Sequence, residues 1–588
     1  MKKRRETTIQ LLACSVAVLI VVSGCIGQEE EKTTEPTITA APEGPVSGGA
    51  YIEAMADDVQ FLDPTRTSTR ASIYVTRTIY DSLVVYGDDM SIQPSLAESW
   101  TVSDDGLQYV FNLRKDAKFH CGEPFTSEAV KYTIDKIMDP DEHSPIAYLY
   151  QEIENVEIPD DYTVVINMKA PNALLLENIA HYNFGLIVCP KCSEQYGEDF
   201  GVTAACGTGP FKFESRVPGS KLTVVRNEEY TWGPSCRSNT GPPYLDSITW
   251  RIIPEEATRL IELEAGNIDL ARDISPESLA ELVEAKGVNP LLYKPLNNWW
   301  YCFRIKDGSE RSPLTADINV RKAVDYAIDK EGIIKSFMPG AILADSWLHP
   351  SVWGYDAKIK DYVRSYDPEK AKEVLEEAGW TDTNGDGTRD KDGRELILKC
   401  MTLPTTTWQN ICTKTQYDLS QVGIGMDIEV YDSASFFSLA TKGNWDIYLM
   451  NYRFSNADIL YYQFHSSQAP APNRIPWEDE ETDRILAITR SSTDSQERLD
   501  SYFWVQKMAV ENCLTANLFY EKGIYGVSDN LHIPSVHDSE ELDSYIGIWK
   551  EPSTSHTIVL SACLAGICFI LGANLMGCSV LDLLSRFK

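Results

Sequence analysis

The stretch Asp382-Thr383-Asn384-Gly385-Asp386-Gly387-Thr388-Arg389-Asp390 carries the first nine positions of a calcium loop. Oxygens from Asp382, Asn384, Asp386, Thr388 and Asp390 would alternate along it, and Gly387 would permit the sharp turn. The twelfth position, where a bidentate carboxylate belongs, is Gly393, so a structural calcium would have to borrow Asp392 or Glu395. The alternative is a plain Asp/Asn/Gly turn. A second cluster is Cys189-Pro190-Lys191-Cys192. A zinc site of that type needs a second CxxC pair, and Cys206 is a lone follower. The spacing favours a disulfide or free thiols over a metal. No GxxxxGK[ST], HExxH or GxSxG sequence occurs, and the eight histidines are scattered. Nothing asks for a nucleotide, a catalytic metal or an activated nucleophile. The chain reads as a binder without cofactor rather than an enzyme. The rival class, an exported hydrolase of peptides or glycans, finds no motif to support it.

Composition narrows the partners. Acidic residues number 87 against 53 basic ones, a formal charge of -34. Nucleic acid needs a basic face, so it is excluded as a partner. With 588 residues the chain must form several packed units. Lys2, Lys3, Arg4 and Arg5 precede an apolar run from Ile9 to Val22, then Val22-Ser23-Gly24-Cys25. This is the layout of an export signal. Residues 1–25 are expected to be a lipoprotein signal peptide, with Cys25 the lipidated residue. Residues 26–48 are rich in Glu, Thr, Pro and Gly and read as a disordered tether. Residues 557–581 are almost wholly apolar and long enough to predict a transmembrane helix. Arg586 and Lys588 would place its end in the cytoplasm. The expected location is the cell membrane, with the body anchored on the extracytoplasmic face. Nine of the 14 cysteines lie outside the terminal segments, and their pairing does not follow from sequence.

Between the ends, strand and helix patterns mix. Tyr109–Leu113, Thr163–Met168 and Lys221–Arg226 alternate as strands. Ala257–Ala265 and Pro368–Ala378 have helical spacing; Asp367 offers an N-cap and Gly379 a stop. Val320, Ala323, Val324, Ala327 and Ile328 form one apolar helical stripe. Gly207 and Gly209 with Pro210 predict a tight turn into a strand, with glycine supplying positive φ. Alternating elements of this kind predict α/β lobes.

Several ordered blocks resemble the extracellular solute-binding family 5, which includes the oligopeptide-, dipeptide- and nickel-binding proteins of ABC importers. They are Leu62-Asp63-Pro64, Leu96–Trp100, Leu113-Arg114-Lys115 with Lys118-Phe119-His120, and Gly207-Thr208-Gly209-Pro210-Phe211 with Arg226-Asn227 and Tyr230. Asp317–Lys330 and Tyr366–Trp380 complete the set. The resemblance implies an α/β, periplasmic-binding-protein-like type II fold of two lobes with an extra inserted domain. Lobe I would comprise 49–92, 207–295 and 516–552, the inserted domain 93–206, and lobe II 296–515.

It also implies where a ligand would sit. The segments that match the family's pocket regions are Ser68, Thr69 and Arg70; Trp300 and Tyr301 at the crossover to lobe II; Tyr431 and Asp432; and Tyr452, Ser455 and Asp458. Peptide binders of the family carry Trp, two residues, then an Asp that pairs with the ligand's α-ammonium. Here Tyr452 stands for the Trp and Ser455 falls where the Asp belongs, so Asp458 or Asp432 would have to supply the charge. Trp300 and Tyr452 are expected to face each other across the cleft. The implied partners are a small ligand, ABC permease subunits and, through them, ATPase subunits. Oligopeptide is the first ligand expectation, oligosaccharide the second and a nickel chelate the third.

Overall fold

In this computed structural model, residues 44–181, 184–306, 312–534, 536 and 545–551 are described. Three main sheets organise them. A seven-stranded sheet runs in the order Val288–Tyr293, Gly523–Ser528, Leu270–Ala271, Ala50–Met55, Ser247–Ile252, Lys221–Arg226, Phe211–Val217. A six-stranded sheet runs Ile342–Leu343, Thr515–Tyr520, Asn297–Phe303, Ile447–Arg453, Ile397–Thr402, Gly425–Val430. A four-stranded antiparallel sheet runs Ala97–Val102, Gln108–Leu113, Thr163–Met168, Ile153–Asp160. The first two sheets give the two lobes.

Local sequence explains most elements. Thr163–Met168 alternates buried and half-buried side chains, and its neighbour Gln108–Leu113 turns Tyr109, Phe111 and Leu113 inward. The helix Ile318–Ala327 starts where the Asp317 carboxylate accepts from Asn319 N at 2.9 Å. Its stripe of Val320, Ala323, Val324 and Ala327 is buried. The helix Pro368–Glu377 is capped by Asp367, which accepts from Lys370 N at 2.9 Å, and Gly379 follows it at φ +83°.

Gly207 and Gly209 have a different cause from the expected one. Neither takes positive φ. A Cβ on Gly207 would lie 2.1 Å from the Ile79 carbonyl oxygen, and one on Gly209 2.6 Å from the Ile79 carbonyl carbon. Gly209 N donates to Ile79 O at 2.9 Å. Glycine is needed because the end of the helix Arg70–Ile79 presses directly on this segment.

Two adjacent crossovers join the lobes. The chain passes from Val288–Tyr293 to Asn297–Phe303, and back from Thr515–Tyr520 to Gly523–Ser528. Glu521 binds them together. It accepts from Asn297 Nδ2 at 2.5 Å and Trp299 Nε1 at 2.7 Å, and its backbone N donates to Asn297 O at 2.9 Å.

One expectation is corrected. Among the described residues, no helix is long and apolar enough to cross a membrane. Residues 557–581, which prompted the transmembrane helix, lie outside the described residues. An apolar run of sufficient length is a composition; it becomes a span only as a helix that satisfies its own backbone in the bilayer.

Candidate ligand site

The site begins at one end of the six-stranded sheet. Ile397–Thr402 runs parallel to Gly425–Val430 and to Ile447–Arg453, so all three end at the same edge. Asn297–Phe303 is antiparallel to Ile447–Arg453 and starts there. The crossovers leave from that edge too, since Asn298 is opposite Tyr520. Loops beyond the carboxyl ends of parallel strands are where α/β folds place ligands.

The loop after Arg453 builds one wall of a cavity of about 190 Å³. Arg453, Phe454, Ser455, Asn456, Asp458, Tyr462 and Arg490 line that wall. The opposite wall comes from Tyr148, ahead of the strand Ile153–Asp160, and from Asn172, Asn178, His181 and Phe184 in the segment after the four-stranded sheet. A backbone hydrogen bond from Ala173 N to Arg490 O, 2.9 Å, joins the two sides. Arg498 Nη2 meets Glu177 Oε1 at 3.0 Å behind them.

Asp458 dominates the electrostatics. It is 4% exposed. Its Oδ1 lies 3.3 Å from Arg490 Nε but accepts no hydrogen bond in the structure. Burial pushes its carboxyl up to about 6, with Arg490 pulling the other way. Tyr462 beside it is pushed up to about 12, by burial and then by the Asp458 charge. Arg490 is held over the Tyr461 ring at 4.2 Å. The arrangement can take a small group bearing a positive charge at Asp458, beside the Arg490 guanidinium.

The other candidates fall in different places. Ser455 lines the same cavity. Trp300 and Tyr452 do not face each other across a cleft. They lie on neighbouring strands of one sheet with ring centroids 5.8 Å apart. Trp300 is 2% exposed and packs on Trp347 at 4.1 Å. The two-residue period of the strand decides this, because Trp300 and Tyr301 must point to opposite faces. Tyr301 is buried on the other face, where its hydroxyl donates to Thr415 Oγ1 at 3.0 Å. Tyr431 donates to Glu429 Oε2, and Asp432 caps the helix Ser433–Lys442 by accepting from Ser435 N at 3.0 Å. Ser68, Thr69 and Arg70 are exposed at the start of the helix Arg70–Ile79, and Arg70 pairs with Asp273 at 3.2 Å.

In the 382–390 loop the acidic side chains close the turn on itself. Asp382 accepts from Gly385 N at 2.7 Å and Gly387 N at 3.0 Å. Asp386 accepts from Thr388 N at 2.8 Å, and Asp390 from Thr383 N at 3.0 Å. Asn384 donates to Asp386 through its side-chain amide at 2.9 Å.

Sequence reasoning missed Arg490 and the whole wall from Tyr148 to Phe184. These residues stand in no motif and reach the cavity through folding alone.

Residues 91–471 match the bacterial extracellular solute-binding proteins, family 5 Middle. The chain belongs to this family. Among its relatives, the oligopeptide-binding protein AppA of Bacillus subtilis is 25% identical over 92% of this chain and 98% of that protein. The glutathione-binding protein GsiB of Salmonella typhimurium is 28% identical over 82% of this chain and 90% of its own length. The solved structure of NikA from Brucella suis in complex with Fe(III)-EDTA is 25% identical, with a TM-score of 0.74 over 86% of this chain and all of that one, 100%. This family 5 solute-binding protein is accordingly a transport component and not an enzyme. It works outside the cytoplasm as the ligand-capturing part of an ABC importer, with permease and ATPase subunits as partners.

Proposed function

We propose that the cargo of this family 5 protein is a short peptide whose α-ammonium pairs with Asp458. One observation carries the reading: a carboxylate 4% exposed, on the wall of a cavity, whose Oδ1 has Arg490 Nε at 3.3 Å yet accepts no hydrogen bond. A buried carboxylate in that state gains most from a cationic donor. AppA and GsiB, both named for peptide ligands, support the class. Ser455, Asn456, Asn172 and Asn178 would meet main-chain polar groups, while Phe184, Phe454 and Tyr462 would cover apolar side chains. The same reading keeps Cys25 as a lipid anchor, with lobe I at 49–92 and 207–295 and the inserted domain at 93–206. Because the strand Thr515–Tyr520 belongs to the six-stranded sheet, lobe II extends from 296 past 515 to Tyr520, and only the rest of 516–552 returns to lobe I. The test is mass spectrometry of ligand released from natively purified protein. Peptides are expected. An oligosaccharide or a nickel chelate as the released species overturns the proposal.

A further inference from the structure

Cys121, Cys189, Cys192 and Cys206 bring their four sulfurs within 4.8 Å of one another. Among the described residues this is the only such convergence of three or more Cys, His, Asp or Glu side chains. The sequence showed one CxxC and a lone follower. The fourth sulfur, Cys121, comes from 68 residues upstream of Cys189.

Three separate pieces of backbone hold the cluster. Cys121 sits in a tight hairpin where Phe119 N donates to Glu123 O and Gly122 N to Phe119 O, both at 2.8 Å. Cys189 and Cys192 flank the start of the helix Pro190–Tyr196. Cys206 precedes Gly207, and Cys189 N donates to Cys206 O at 3.3 Å. His120 locks the hairpin to the third piece: its backbone N donates to Gly207 O at 2.9 Å, and its Nε2 lies 2.9 Å from Gly209 O. Cys189, Cys192 and Cys206 are buried, and Cys121 closes the outer side.

The spacing fits an ion better than a bond. Cys121 Sγ and Cys189 Sγ are 3.6 Å apart. A tetrahedral ion with metal–sulfur bonds of about 2.3 Å sets its sulfurs about 3.8 Å apart. A disulfide needs about 2.05 Å, and all four cysteines are free. A four-sulfur tetrahedron selects zinc or iron, and zinc fits a closed site with no redox task. The Cys189 sulfur also accepts from the backbone N–H of Cys192, and the Lys191 ammonium lies near Cys121 and Cys192 while pairing with Glu123. Such contacts soften the negative charge of a tetrathiolate centre.

We propose that these four cysteines bind one structural zinc ion. Four zinc–sulfur bonds form, each thiol gives its proton to solvent, and no electron is transferred. The ion would tie the 119–123 hairpin to the helix Pro190–Tyr196 and to the segment entering the strand Phe211–Val217. It would fasten the part of the chain that carries the four-stranded sheet onto the seven-stranded lobe, independently of which ligand the cleft holds.

The test is elemental analysis of the full chain purified without chelator, followed by cobalt exchange. About one zinc per chain is expected, and the cobalt form should show the intense visible bands of a tetrahedral tetrathiolate. Cys121→Ser and Cys206→Ser should lose the metal, while Cys236→Ser, outside the cluster, should keep it. The wild-type cobalt spectrum does not depend on whether the variants fold. A metal-free chain that gives no cobalt bands, with disulfide-linked peptides among these four cysteines in a non-reducing digest, overturns the proposal. Iron in place of zinc overturns the choice of metal.

Discussion

Asp458 owes its unusual acidity to burial, and that has two consequences at the scale of the residue. Its carboxyl is pushed up to about 6 in the folded chain. Between the ordinary carboxylate range and about 6 the folded state therefore holds a proton that the unfolded state has lost. The corresponding stability is fully present at lower pH and is lost as pH rises through about 6. In urea unfolding from pH 4 to 7, Asp458→Asn should flatten the profile by up to about 3 kcal/mol. Ligand affinity should show the opposite slope, because an ammonium pairs with the ionised form. Affinity for a peptide should fall by up to about tenfold per pH unit below the Asp458 pKa. At pH 7, Asp458→Asn should cost about 2–5 kcal/mol of binding and abolish that pH dependence. Titration calorimetry across pH reads both; a pH-independent wild type would remove the ammonium from the reading. In the 382–390 loop, the carboxylates of Asp382 and Asp386 already accept hydrogen bonds from loop backbone. Added calcium is therefore expected to leave the melting temperature unchanged; a rise would show that the loop rearranges around an ion.

At the scale of elements, buried pairs join strands that are remote in sequence. Glu53, on a central strand of the seven-stranded sheet, pairs with Arg272, and both are fully buried. Arg272 also donates to the hydroxyls of Tyr525 at 2.8 Å and Tyr545 at 2.7 Å, and Tyr51 donates to Glu53 Oε2 at 2.7 Å. Removing one charge strands the other without water. Glu53→Gln should destabilise by about 3–5 kcal/mol in denaturant unfolding. Trp300 belongs to the same scale. Packed between Trp347 and Tyr452 at 2% exposure, it is core of lobe II. Trp300→Ala should cost about 3–5 kcal/mol of stability. A loss of affinity with an unchanged melting curve would return it to the ligand site.

For the whole molecule, the ligand-capturing component of an ABC importer must be outside the cytoplasm and able to dock. Protease added to intact cells should degrade the 49–552 body, and complete protection would contradict export. With Cys25 as the proposed anchor, Cys25→Ala should abolish lipid labelling. Liganded protein should stimulate the ATPase of its reconstituted permease, and a response equal to that of ligand-free protein would mean that bound ligand is not the signal read by the permease.

What the sequence determined by itself was local or ordered along the chain. The Asp317 and Asp367 caps, the stripe from Val320 to Ala327 and the strand Thr163–Met168 follow from short-range sterics and periodicity. The family followed from blocks in order, because order survives where identity has fallen to 25% over 92% of the chain. Only the tertiary structure decided what meets across long separations. Arg490 reaches Asp458, Tyr148 and Phe184 close the opposite wall, and Cys121 joins three distant sulfurs. None of these pairs has a fixed spacing that a pattern could record. The same holds for Trp300, whose residue type suits a ligand wall or a core equally well. Packing against Trp347 placed it in the core, and burial, which no sequence window contains, set the charge state of Asp458.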